Sequence, residues 1–205
     1  MRRPRSDRRE GEQSVTPPRL TPLLAQFDFA LDRLASRLDG LMDDEYFWEP
    51  VPGCWSVRPR DRSRAGTPMG GGDWVIEFDR PEPDPPPFTT IAWRICHLAL
   101  WMTIRADYTV GTRAMTWDDY VIPGRAATAI AALVTAGAAW RAALTSAADA
   151  DLDQIGRSQN PWGLDPRLPF LDIVWWVNQE CLHHGGEIAL LRDLYRAQPS
   201  SELRG

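Results

Sequence analysis

The sequence predicts an all-α fold, a four-helix bundle with a long loop between its first two long helices. Three observations predict it. Leu24, Phe27, Leu31, Leu34, Leu38 and Leu41 recur at alternating spacings of three and four, which is the seam of a bundle helix. The segment 125–148 is rich in alanine, the strongest helix former and small enough for close packing. A last helical stretch begins after Asp165-Pro166 or near Pro169 and continues to about Gln198, where Pro199 stops it. With a further helix around residues 91–108, four long helices joined by a long first connection and shorter later ones make a bundle.

Each element has a local cause. Thr21 is placed to cap the first helix, with Pro22 at its first position, where the missing N–H loses nothing. Gly40 loosens its end, and Asp43-Asp44 lead into a short helical turn over Glu45–Trp48. From Glu49 to Pro87, Gly70-Gly71-Gly72 and Pro85-Pro86-Pro87 forbid a long helix. Ser56–Arg58 and Trp74–Phe78 have strand character there, so a small hairpin is expected. A connection this long is more often functional or lid-like than filler. Thr89 or Thr90 then caps the second long helix, Ile91 to Tyr108.

The bulk properties bound the function. At 205 residues one domain is the default, large enough for a core without disulfide staples. A formal charge of -5 and a pI near 5.2 argue against nucleic-acid binding driven by phosphate contacts. Cys54, Cys96 and Cys181 are an odd count with no CxxC, which fits a reducing, cytoplasmic compartment, and they read as packed residues rather than nucleophiles. No stretch approaches 18 consecutive apolar residues, so no membrane span is expected. Arg2, Arg3 and Arg5 are not followed by an apolar segment, so no signal peptide is expected. Residues 1–18 read as a disordered basic tail, 19–198 as the single domain and 199–205 as a C-terminal tail. No GxGxxG, Walker A or GxSxG pattern occurs.

The chemistry-bearing residues are few. The chain has three histidines, His97 on the second long helix and His183 and His184 on the fourth. Glu180 lies four residues before His184, so the two share a helical face. His183 points about 100° away from that face. Two imidazoles and a carboxylate suffice for a divalent metal with an open position. The competing reading makes His97 a hydrogen-bonded core histidine and pairs Glu180 with an arginine such as Arg94. Glu180 shares its face with Ile173, Val177 and Ile188, and a carboxylate in such a setting is costly unless paired or bound to a cation. That consideration favours the metal.

Three segments in order resemble the DinB-like superfamily of metal-binding four-helix bundles. They are Trp48 to Arg60 (WEPVPGCWSVRPR), Thr89 to His97 (TTIAWRICH) and Asn178 to Ile188 (NQECLHHGGEI). Together they span roughly residues 20–198. Many members carry three histidine ligands, one on the second long helix and an HxxxH pair on the fourth. This chain has Glu180 where the first of that pair is usual. Its His-Glu-His set is similar to that of the mycothiol-dependent maleylpyruvate isomerase branch. By motif position the resemblance implies His97, Glu180 and His184 as metal ligands, with His183 and Glu187 outside them; an exposed Glu187 is the alternative. It implies zinc, with Fe(II) or Ni(II) as alternatives, and a low-molecular-weight thiol such as mycothiol as cosubstrate.

The activity so implied is a metal-dependent thiol S-transferase acting on a small electrophile. A hydrolase using activated water, and a non-catalytic stress-related binding bundle, are the alternatives. Trp93, Trp101 and Val177 are candidate pocket walls, a core role for them being the other reading. Arg58 and Arg60 are candidates for an anionic group of the thiol, against a solvated loop role. Neither nucleic acid nor membrane is an expected partner, and a homodimer is in keeping with the resemblance.

Overall fold

A computed structural model describes residues 16–159 and 165–198. The expected N-terminal tail falls largely, and the C-terminal tail wholly, outside the described residues. Among the described residues the five α-helices are α1 (Thr21–Leu38), α2 (Asp43–Tyr46), α3 (Ile91–Val110), α4 (Ala126–Thr145) and α5 (Phe170–Arg196). Two short strands, β1 (Val57–Pro59) and β2 (Trp74–Ile76), form an antiparallel hairpin in register Val57↔Ile76, Arg58↔Val75 and Pro59↔Trp74. The fold is all-α with this one small sheet in the long loop, as the composition of 49–87 suggested.

The four long helices close into a ring. α3 packs most extensively on α4 and α1 on α5, while α3–α5 and α1–α4 contacts complete the circuit. Helices α1 and α3 are therefore diagonal neighbours, as are α4 and α5. That is why both connections are long: each must cross an end of the bundle. Leu24, Phe27, Ala30, Leu34 and Leu38 bury the inner face of α1, and Ile173, Val174, Val177, Ile188 and Leu191 that of α5. Trp140 is fully buried and meets Phe170 edge to face at 6.2 Å, an arrangement aromatic rings favour.

Helix ends differ from expectation by small, explicable steps. α1 begins at Thr21 itself, after Leu20, with no side-chain cap; the Thr21 hydroxyl donates back to the Pro17 carbonyl at 3.2 Å. Of the two candidate caps of α3, Thr90 is the one used, its Oγ1 accepting from the Trp93 N–H at 3.2 Å. The N-terminus of α4 is capped from a distance: Asp43 of α2 accepts from the Ala126 N–H at 2.8 Å. A carboxylate there satisfies an orphan donor and complements the helix dipole.

By length and composition α4 is apolar enough to cross a membrane, which the test of 18 consecutive apolar residues missed. Its apolarity comes largely from alanine, and Ala129, Leu133, Ala136, Gly137, Trp140 and Ala143 are spent on the bundle interior.

Two buried ion-pair systems fasten the periphery. Arg192 of α5 meets Glu45 of α2 through two hydrogen bonds, Nε to Oε1 at 2.7 Å and Nη2 to Oε2 at 3.0 Å. In the long loop, fully buried Glu77 accepts from the Ser56 N–H (3.0 Å), Arg58 Nε (2.9 Å) and the Arg64 N–H (2.8 Å). The loop is also stitched to the start of α3, because Thr90 N–H donates to Trp55 O at 3.0 Å and Trp93 Nε1 donates to Glu77 O at 2.8 Å. Gly70 shows why the glycine run is there: its φ is +111° and a Cβ would lie 2.2 Å from Ile122 Cγ1.

Candidate metal centre

The α3–α5 seam carries His97, Glu180 and His184. On α5, the four-residue spacing puts Glu180 and His184 on one face beneath α3. On α3, His97 lies flat against Trp93, with ring centroids 4.6 Å apart and 15° between planes, and meets Trp101 edge to face at 6.3 Å. This packing fixes the His97 ring although its Nδ1 has no hydrogen-bond partner among the described residues. The His97 and His184 rings stand nearly perpendicular, 5.0 Å apart.

Glu180 Oε2 lies 3.3 Å from His97 Nε2 and 3.2 Å from His184 Nε2. One ligand atom from each of the three residues falls within 4.8 Å of the others. Ligand atoms bound at about 2.0–2.1 Å to one tetrahedral ion stand about 3.3–3.4 Å apart. Hydrogen bonds from a protonated imidazole to a carboxylate close to about 2.7–2.9 Å. Separations of 3.2–3.3 Å from Glu180 lie at the long end of hydrogen bonding and also suit a shared ion, so the donor set fits a zinc-like ion.

The far side of His184 is equally built. Its Nδ1 lies 2.8 Å from Glu187 Oε2 and 3.1 Å from Arg94 Nη1, and Arg94 pairs with Glu187. Two proton arrangements satisfy these contacts. With the proton on Nδ1, His184 donates to Glu187 and turns its Nε2 lone pair toward Glu180, which requires a cation between them. With the proton on Nε2, Arg94 donates to Nδ1 and no cation is needed. The first is the carboxylate–histidine–metal relay that orients metal-binding imidazoles. Glu187 is half-buried and also meets His183 Nε2 at 3.2 Å, and the His183 ring stacks on His184 with centroids 5.2 Å apart, so His183 backs the triad from outside.

Electrostatics prepare the triad for a cation. Burial alone would raise the Glu180 pKa, but hydrogen bonds and charge from His184 and His97 hold it well below the usual carboxylate range. Burial pulls His184 down to about 4 against the opposing pull of Glu180, so its ring is neutral at neutral pH and has no proton to lose before ligating. Arg94, named from sequence as the competing partner of Glu180, pairs with Glu187 instead.

A cavity of about 420 Å³ opens on the triad, walled by Trp55, Phe78, Trp93, Trp101 and Trp176. His183, Glu82 and Arg105 also line it. Of the expected wall residues, Trp93 and Trp101 are here, whereas Val177 is 3% exposed and belongs to the core. Arg58 and Arg60 do not line this cavity. Arg58 binds Glu77 and Glu49, and Arg60 donates to the Gly70 and Gly72 carbonyls at 2.5 and 3.0 Å. Both are committed to holding the hairpin.

Sequence reasoning missed Trp55, Phe78, Trp176 and Arg105. The last two carried a readable signal: Trp176 is four residues before Glu180, and Arg105 is eight after His97, so each shares a ligand's helical face. Trp55 and Phe78 arrive through loop geometry, for which no periodicity exists. The cysteines are free and buried. Burial pushes the thiols of Cys96 and Cys181 up to about 12, which removes them as nucleophiles.

No curated protein matches the chain. The sequence profile of the DinB superfamily matches residues 26–188, a span from the first turns of α1 to the last ligand-bearing turns of α5 and including all three triad residues. The chain belongs to the DinB superfamily.

Proposed function

We propose that the chain is a zinc-dependent thiol S-transferase that joins a low-molecular-weight thiol, mycothiol or a relative, to a small electrophile. The observation that carries the reading is the convergence of His97 Nε2 and His184 Nε2 on Glu180 Oε2, at 3.3 and 3.2 Å, beside an aromatic-walled cavity. Zinc in such a three-ligand site keeps an exchangeable position and supplies the Lewis acidity that turns a thiol into a thiolate near neutral pH. Fe(II) and Ni(II) are the metals to test beside it.

The protein's own groups have distinct tasks. His97, Glu180 and His184 present the ligand atoms, and Glu187 holds the His184 tautomer that leaves Nε2 unprotonated. The tryptophans exclude water and offer flat apolar faces to the electrophile. The sulfur forms a bond to the electrophilic carbon, and the displaced electron pair leaves with the departing group or passes to a proton from water. Three free, buried cysteines accord with a cytoplasmic setting in which such thiols stay reduced.

The test is direct. Zinc-loaded protein is incubated with an activated aryl halide, with and without mycothiol, bacillithiol or glutathione. Thioether formed only in the presence of protein and thiol supports the reading. Turnover of an ester or amide without thiol assigns the same centre to water and makes the protein a hydrolase. No turnover of either kind makes it a binding bundle.

A further inference from the structure

The second chemical feature of the cavity is a buried cation without a counter-charge among the described residues. Arg105 is 1% exposed and lines the cavity that opens on the triad. It forms no ion pair among the described residues. Its guanidinium donates from Nη1 to the Ser158 carbonyl at 2.5 Å, and its Nε is buried without a partner among the described residues. Its plane sits 5.4 Å from the Trp176 ring, itself a cavity wall. A guanidinium carries five N–H donors, so most of its hydrogen-bonding capacity is unspent. The carboxylates near it are otherwise engaged: Glu180 faces the two histidines, and Glu82 stands at the exposed rim.

The position of Arg105 gives its charge a direction. His97, Trp101 and Arg105 are spaced four and four on α3, so they line one face, with His97 and Arg105 about 12 Å apart along the axis. The guanidinium itself rests between the Ser158 carbonyl and the Trp176 ring. The cavity thus brings a ligand triad, a cation and aromatic walls into one lining.

We infer that the cavity takes a substrate bearing a carboxylate, which Arg105 receives while an aromatic or flat apolar spacer lies between the tryptophans and the reactive atom faces His97, Glu180 and His184. The inference rests on the S-transferase reading for the reactive end, whereas the anion subsite stands on the surroundings of Arg105. Burial pulls the Arg105 pKa down to about 10, so it remains a cation at neutral pH. A planar carboxylate matches the guanidinium fork and would satisfy the donors that the protein leaves over.

The experiment titrates full-length protein with 3-phenylpropionate and with its neutral isostere 3-phenylpropionamide, following tryptophan fluorescence. Wild-type protein, zinc-loaded or chelator-treated, should bind the acid about tenfold more tightly than the amide, the discrimination of one charge-assisted contact. Arg105→Gln should bring the two ligands to equal affinity. Arg105→Lys should keep part of the preference, and as a charge-retaining variant it guards against loss of folding in the first. Glu180→Ala should keep the full preference while losing zinc, so that failure of the metal reading and failure of the anion subsite give different results. Equal binding of acid and amide by wild-type protein overturns the inference. So does a preference that survives Arg105→Gln, or one seen only with zinc loaded, which would assign the carboxylate to the metal.

Discussion

Replacing Glu45 by glutamine should unfasten the end of the bundle. Glu45 and Arg192 are 7% and 1% exposed at the side chain. Beyond its two bonds to Glu45, Arg192 Nη1 donates to the Asp39 carbonyl at 3.0 Å and to the Arg37 carbonyl. The two carbonyls hold the guanidinium in place after the substitution, so it cannot swing out to water, and its charge is left buried without a partner. Breaking a buried pair from one side costs about 3–5 kcal/mol, against a total stability of about 5–15 kcal/mol for a domain. With a urea m-value of about 2 kcal/mol/M, the midpoint should fall by about 1.5–2.5 M. Circular dichroism in urea reads it. Replacing both residues together, Glu45→Leu with Arg192→Met, should recover most of the loss, because apolar replacement of a buried pair is often close to neutral. A midpoint shift below about 0.5 M for Glu45→Gln would refute the argument that this pair ties α2 to α5.

Three further outcomes follow from the site. Glu187→Gln replaces the charged acceptor of His184 Nδ1 by a weaker neutral one and should weaken zinc binding about 10–100-fold in a chromophoric-chelator competition; unchanged affinity would make Glu187 a bystander. His184 has its folded-state pKa lowered from 6.5 to about 4. Its stabilising contribution is therefore complete above pH 6.5 and is lost as the pH falls through about 4, at most about 3 kcal/mol by linkage. Urea titrations at pH 7.5 and 4.5 should show that slope in metal-free wild-type protein and a shallower one in His184→Asn; equal slopes would rule out His184 as the group responsible. Trp101→Ala opens the cavity wall beside His97 and should raise KM for an aromatic electrophile more than it lowers kcat, whereas an unchanged KM would place the substrate elsewhere.

The fold was legible where periodicity was strong. The three-and-four spacing from Leu24 to Leu38 gave α1, because burial of one face dictates that pattern, and the alanines of 126–145 gave α4 through their helix propensity. Helix ends were less legible, since the cap of α4 comes from Asp43, 83 residues away in sequence. The triad could be proposed from histidine scarcity and one i,i+4 spacing, and the resemblance to the superfamily supplied the match of His97 to α5. The arginines of the hairpin lie outside the triad cavity for a physical reason. Composition shows charge in a loop, but not the buried Glu77 and glycine carbonyls that consume it. Conversely Arg105, in the last third of α3, could have been read only from its eight-residue spacing from His97, because composition does not mark it as facing a cavity.

The most direct measurement is the metal content of purified wild-type, Glu180→Ala and His184→Ala proteins, taken by elemental analysis after exchange into metal-free buffer. A three-ligand centre at His97, Glu180 and His184 predicts about one zinc per wild-type chain and little in either variant. Wild-type protein that neither carries nor takes up a divalent ion, or variants that hold zinc as fully as wild type, would contradict it.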